Sequence, residues 1–89
     1  MDDNVTLSQL EELAGRLGLT VRYEPLKGEG FVHAGGFCRI NGQDFVFIHK
    51  KAVPRERIQV LAAALKRYDL NQIYILPSLR DLLDLKEVP

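Results

Sequence analysis

The dipeptide Asn41-Gly42 lies between two strand-like runs, "GGFCRI" and "QDFVFI". A type I′ turn needs positive φ at both of its central residues, and Asn-Gly meets this need best. The sequence therefore predicts a two-residue hairpin, and a loop of that length fixes the strand register. The expected pairs are Ile40 with Gln43, Arg39 with Asp44, Cys38 with Phe45, Phe37 with Val46, and Gly36 with Phe47.

This register gives the hairpin two faces, and both are substantially apolar. One face carries Cys38, Ile40, Phe45 and Phe47. The other carries Phe37, Val46 and Ile48, together with an Arg39–Asp44 ion pair near the turn. Both faces need cover, and we expect Cys38 to be buried as a small apolar side chain.

Three further elements are predicted before and after the hairpin. Thr6 and Gln9 have the spacing of a capping box, with Val5 and Leu10 as a hydrophobic staple, so a helix should begin there and end at Gly18. "TVRYE" alternates as a half-buried strand that Pro25 ends. Pro54 suits the first turn of an amphipathic helix over 54–68, with Asn71 as its cap.

The last third of the chain predicts one more strand and a short helix. "QIYIL", residues 72–76, is β-branched and aromatic, and a right-handed parallel crossover from the hairpin would bring it into the sheet. Ser78 can cap a final helix. The resulting order is α-β-β-β-α-β-α: a single small α+β domain over 1–89 with a mixed sheet, frayed at 1–4 and 86–89.

Composition limits the possible functions. The 89 residues include 12 basic and 12 acidic side chains, so no net charge holds the protein on nucleic acid or on an anionic membrane. An apolar fraction of 46% predicts a folded chain, and a single cysteine excludes an internal disulfide. The acidic start "MDDNVTLSQL" and the lack of a long apolar run predict a cytoplasmic protein without a membrane partner.

The stretch from Gly28 to Cys38, "GEGFVHAGGFC", contains the residues that most suggest chemistry. It is not a dinucleotide fingerprint, because His33 replaces the third glycine and a strand follows instead of a helix. Glycines 35 and 36 instead allow a bulge or a close approach between strands. Cys38 and His33 form the possible loop site of an enzyme, but the register separates them, and it places His49 roughly 13 Å from Cys38. Two histidines and one cysteine without pair spacing predict neither a metal site nor a cofactor.

The segment "HKKAVPRER", residues 49–57, is the one local charge cluster. Residues 31–70 hold seven basic and three acidic side chains, a net charge of +4. Lys50, Lys51, Arg55 and Arg57 lie at a strand-to-helix junction, where the helix N-terminus also attracts anions. They are candidates for binding phosphate, an acidic partner or nucleic acid, and the alternative is an ordinary solvated loop.

From Gly35 to Leu83 the chain resembles small uncharacterised bacterial proteins. The shared features are a Gly-x-Cys hairpin (Gly36 to Cys38), an amphipathic helix, and an Ile-Tyr-Ile-x-Pro-x-x-Arg ending (Ile73 to Arg80). This resemblance implies no activity and no catalytic residue. The order of hairpin and helix is also similar to the start of the IrrE-type zinc peptidase domain, but "VLAAALKRY" has no HExxH motif, so only the shape is implied.

The leading functional hypothesis is a non-enzymatic protein that acts through protein–protein interaction, with a homodimer or a complex with another protein as the expected assembly. It depends on one count: three helices, two of them short, must cover a sheet that is apolar on both sides. The alternative is weak nucleic-acid or phosphate binding at residues 49–57. The third hypothesis is an enzyme that uses Cys38 or His33.

Overall fold

The Asn41-Gly42 hairpin forms with the predicted register in the computed structural model, which describes residues 2–25 and 35–84. It joins β2 (Gly35–Ile40) to β3 (Gln43–His49). Asn41 and Gly42 have φ values of 51° and 79°, as a type I′ turn requires. All five predicted pairs are present, from Ile40–Gln43 to Gly36–Phe47.

A third strand, β1 (Thr20–Glu24), completes the described sheet. It lies parallel to β3 on the side away from β2, so the strand order is β1-β3-β2. Thr20 is level with Phe45, and Glu24 is level with His49. The sheet is therefore mixed, and β1 and β2 form its two edges.

Helix α1 (Asp3–Arg16) begins four residues before the start that a Thr6 N-cap predicts. Asp2 is the N-cap, and its carboxylate accepts a hydrogen bond from the Asn4 N–H at 2.8 Å. The predicted start at the Thr6–Gln9 capping box is therefore wrong, because an earlier cap residue satisfies the helix end first. The predicted end is confirmed: Gly18 has a φ of 80°, and the Leu19 N–H donates to the Ala14 carbonyl.

Helix α2 (Pro54–Leu65) begins at the predicted proline and ends three residues before the predicted end. The Glu56 carboxylate accepts a hydrogen bond from the Val53 N–H at 3.1 Å and so closes the first turn. Lys66 is the C-cap, so the proposed capping role of Asn71 is wrong. The Asn71 N–H instead donates to the Asp69 carboxylate, within a 3₁₀ helix at Leu70–Gln72.

The segment between this 3₁₀ helix and α3 (Pro77–Leu82) differs most from expectation. Ile73 and Leu76 have extended backbone angles, but residues 73–76 do not join the described sheet, so the predicted crossover is wrong. β3 lies between β1 and β2, so it has no open edge for a further strand. Ser78 is not the cap of α3, since Leu76 precedes the helix and Pro77 is its first residue.

The hydrophobic core lies between one face of the sheet and the helices. Val46 and Ile48 on β3 are fully buried, as are Leu10 on α1 and Leu61 on α2. Each such side chain stabilises the fold by roughly 1.5–3 kcal/mol relative to an exposed one. The predicted fold class is thus confirmed, and so is the order of the elements apart from the strand at 72–76: a small α+β domain whose helices pack on a mixed three-stranded sheet. Within the described residues, no helix is both long and apolar enough to span a bilayer.

Candidate interaction surface

The sheet face opposite the core carries apolar side chains that no described helix covers; we call it the open face. Strand alternation places Phe45 and Phe47 of β3 there, with Cys38 and Ile40 of β2 beside them. The two phenyl rings stack with centroids 5.9 Å apart and planes 18° from parallel. Neither phenylalanine contributes to the hydrophobic core, and Ile40 is 44% exposed.

Cys38 is exposed on this face, so the expectation that it is buried is wrong. The register of the hairpin was predicted correctly, and Cys38 lies beside Phe45 on the same face as expected. The helices, however, cover the face of Val46 and Ile48 and leave the face of Cys38 open.

Polar side chains border the open face along β1. Arg22 and Glu24 form an ion pair at 3.4 Å, with both side chains more than a third exposed. Near the turn, the Gln43 amide donates to the Thr20 hydroxyl at 3.2 Å. An apolar centre with a polar border is the usual composition of a protein-binding patch.

Gly35 allows β2 to lie against β3 where β2 begins. Its φ is 153°, and a Cβ at this position would lie 1.9 Å from the Phe47 carbonyl oxygen. No side chain fits in that space, so the predicted close approach of strands is confirmed at Gly35. A Cβ at Gly36 would meet nothing within 4 Å, so this second glycine is not needed for the contact.

On the covered side of the sheet, a cluster of polar side chains lies next to the hairpin turn. Asp44 accepts hydrogen bonds from Arg39 at 2.6 Å and from the Tyr68 hydroxyl at 2.5 Å. These bonds, led by the one from Arg39, hold the pKa of Asp44 below its ordinary value. Burial and the bond to Asp44 raise the pKa of Tyr68 to about 12. Arg67 lies over the Phe37 ring at 4.2 Å.

The four cationic candidates of the 49–57 segment are not equivalent. Arg57 donates from Nε to the Ala52 carbonyl at 2.8 Å and from its terminal nitrogen to the Lys50 carbonyl at 3.0 Å. It thereby holds the strand-to-helix loop and is not a free anion ligand. Lys50, Lys51 and Arg55 are exposed.

The histidines do not complete a site with Cys38 among the described residues. His33 lies outside them, so the possible His33–Cys38 loop site is not described by the structure. His49 is occupied locally, since its Nδ1 accepts a hydrogen bond from the Lys51 N–H at 3.0 Å. Within residues 2–25 and 35–84, no three His, Cys, Asp or Glu side chains converge as metal ligands do.

One feature was missed by sequence reasoning: a cavity of about 250 Å³ between α1 and residues 74–79. Its walls come from elements that are distant along the chain, and the prediction of a strand at 72–76 placed that segment elsewhere. No local sequence pattern marks the cavity, since an acidic and a basic residue four apart are ordinary on a solvated helix face.

Comparison with known proteins adds no functional assignment: no family model, no curated protein and no solved structure matches this chain.

Proposed function

We propose that this chain is a non-enzymatic cytoplasmic protein that acts by association through its open face, and that the partner is a second copy of the chain. The observation that supports the proposal is the stacked Phe45–Phe47 pair, which lies outside the core on a face that no described helix covers. Burying such rings against a partner removes apolar surface from water.

The composition of the face suits a two-fold symmetric pairing. In an isologous interface the same patch meets itself, so it must be self-complementary. The apolar centre meets this condition. Arg22 and Glu24, which carry opposite charges at one edge, allow ion pairs between the copies.

The size of the face limits how much surface the association can bury. Three strands of five, six and seven residues form it. With strands about 4.8 Å apart and about 3.3 Å per residue, the projected area is roughly 300 Å². A standard interface buries about 800 Å² per partner, so we expect a weak dimer that forms at tens to hundreds of micromolar.

Sedimentation equilibrium of the full chain from 10 µM to 1 mM tests the proposal. We expect a monomer–dimer equilibrium, and we expect F45T/F47T to weaken it at least tenfold while threonine preserves strand propensity. The control is V5T, which removes an exposed apolar side chain from α1. A strict monomer at 1 mM contradicts the proposal, as does a dimer that the double variant leaves intact.

A second candidate function is anion or nucleic-acid binding through Lys50, Lys51 and Arg55. It is favoured by the exposure of these three side chains beside the N-terminus of α2. Binding of a short RNA or of inorganic phosphate should weaken steeply with salt and disappear in K50E/K51E. Absence of binding at 20 mM salt would rule this function out.

A further inference from the structure

The cavity between α1 and the segment that leads into α3 has an apolar floor and an open rim. Leu13, Ile75 and Leu79 line it, and each is at most 3% exposed. Tyr74, 70% exposed, stands at the rim. A volume of about 250 Å³ is just below the range of ordinary ligand sites, so the cavity accommodates one small molecule rather than a nucleotide.

Two opposite charges on α1 line the same cavity. Glu12 and Arg16 are four residues apart, a spacing at which acidic and basic side chains commonly pair. Here they form no ion pair with each other, and neither pairs with another residue in the described ranges. One carboxylate and one guanidinium are thus open to a ligand at the edge of an apolar cavity.

Gln9 adds an unsatisfied polar atom to this wall. Its side-chain oxygen is buried and has no hydrogen-bond partner. Buried acceptors nearly always have a hydrogen-bond donor, so a buried oxygen without one indicates that a donor binds nearby. Gln9 also lines the cavity, so a donor bound there is within reach of its side chain.

We propose that this cavity binds a free apolar α-amino acid of leucine to phenylalanine size. Arg16 binds the carboxylate through paired N–H groups, and Glu12 and Gln9 accept hydrogen bonds from the ammonium. The side chain lies on Leu13, Ile75 and Leu79. Charge complementarity selects this ligand: side chains one helical turn apart match a molecule whose two charges are close together, whereas a peptide carries its terminal charges far apart.

Titration of the ¹⁵N-labelled full chain with L-leucine and L-phenylalanine tests the proposal by NMR. We expect saturable shifts at the Gln9 side-chain amide and at residues 12–16 and 74–79. 4-Methylvalerate, which lacks the ammonium, and 3-methylbutylamine, which lacks the carboxylate, should each bind at least tenfold more weakly. N-acetyl-leucine amide, which represents a peptide, should not compete.

Substitutions of the two charged residues test whether each binds the ligand, and they do not disturb the core. E12Q and R16Q remove exposed charges from α1, and each should weaken leucine binding at least tenfold. D3N, which removes an exposed charge from the first turn of α1 away from the cavity, is the matched control and should bind normally. No shifts at 20 mM amino acid would overturn the proposal, as would equal binding of the peptide analogue or unchanged affinity in both α1 variants.

Discussion

The guanidinium of Arg57 on α2 lies over the ring of Tyr23 on β1, 4.8 Å from its centroid. The Tyr23 hydroxyl donates a hydrogen bond to the Glu11 carboxylate on α1. Burial, followed by this bond, raises the pKa of Tyr23. A single tyrosine thus connects both long helices to the edge of the sheet, and an arginine that the sequence suggested as an anion ligand is part of this connection.

Replacing Tyr23 should therefore lower stability in two steps. Y23F removes the hydrogen bond to Glu11 but keeps the ring under Arg57, and we expect a loss of about 1 kcal/mol in the free energy of unfolding. Y23L also removes the cation–π contact and should cost about 0.5–1 kcal/mol more. Urea denaturation measures both. Y74F, which alters an exposed tyrosine, is the control and should leave stability unchanged.

Gly35 should tolerate no side chain. In G35A the new Cβ overlaps the Phe47 carbonyl oxygen, so β2 must move away from β3. We expect a loss of about 2–4 kcal/mol, a large part of the stability of a domain this small. G36A is the matched control because its Cβ meets nothing within 4 Å. Equal stability of the two variants, measured by thermal or urea unfolding, would show that the strands do not approach as described.

Substitutions at Asn41 in the hairpin turn should change stability through the backbone conformation they allow rather than through side-chain contacts. Asn41 has a φ of 51°, a left-handed conformation that costs most L-residues about 1–2 kcal/mol. N41A should therefore lose about 1 kcal/mol, whereas N41G should remain within about 0.5 kcal/mol of the parent protein. Urea denaturation of the two variants measures the difference, and a larger loss for glycine than for alanine would argue against a type I′ turn.

The hairpin and the strands beside it show which features of this fold a sequence can predict. The register of β2 and β3 follows from two adjacent residues, because a tight turn fixes the pairing locally. The parallel pairing of β1 with β3 depends on residues more than twenty positions apart. The composition of "QIYIL" does not settle its place either, because a β-branched segment can join a sheet or pack beside a helix. Alternation likewise separates Cys38 and Phe45 from Val46 and Ile48, but it does not say which face the helices cover. Long-range packing decides these questions, so the open face and the cavity at Gln9 had to come from the structure.

The Asp44 cluster should make stability depend on pH at both extremes. The folded-state pKa of Asp44 is lowered, so its contribution is present above its ordinary pKa of about 4 and is lost as the pH falls below it. The folded-state pKa of Tyr68 is raised to about 12, so its contribution is present below about pH 10 and is lost between about pH 10 and 12. D44N should flatten the acid side of the stability profile. Y68F should make the alkaline side less steep, and the slope that remains there comes from Tyr23, whose pKa is also raised.

Urea denaturation between pH 2.5 and 11.5 checks this expectation. The matched control is D81N, which removes an exposed carboxylate from α3 and should leave both sides of the profile as they are. An acid side that is as steep in D44N as in the parent protein would assign the acid sensitivity to other carboxylates.

Cys38 provides a direct probe of the open face because its thiol is exposed beside Phe45. In a 5 µM solution of the folded protein, a maleimide should modify it readily. As the protein concentration rises toward 1 mM, the rate per molecule should fall several-fold, because a second copy on the open face covers the thiol. F45T/F47T should remove this protection, whereas V5T should retain it. If sedimentation shows a dimer while the labelling rate does not change with concentration, the copies meet through another surface and the open face is not the interface.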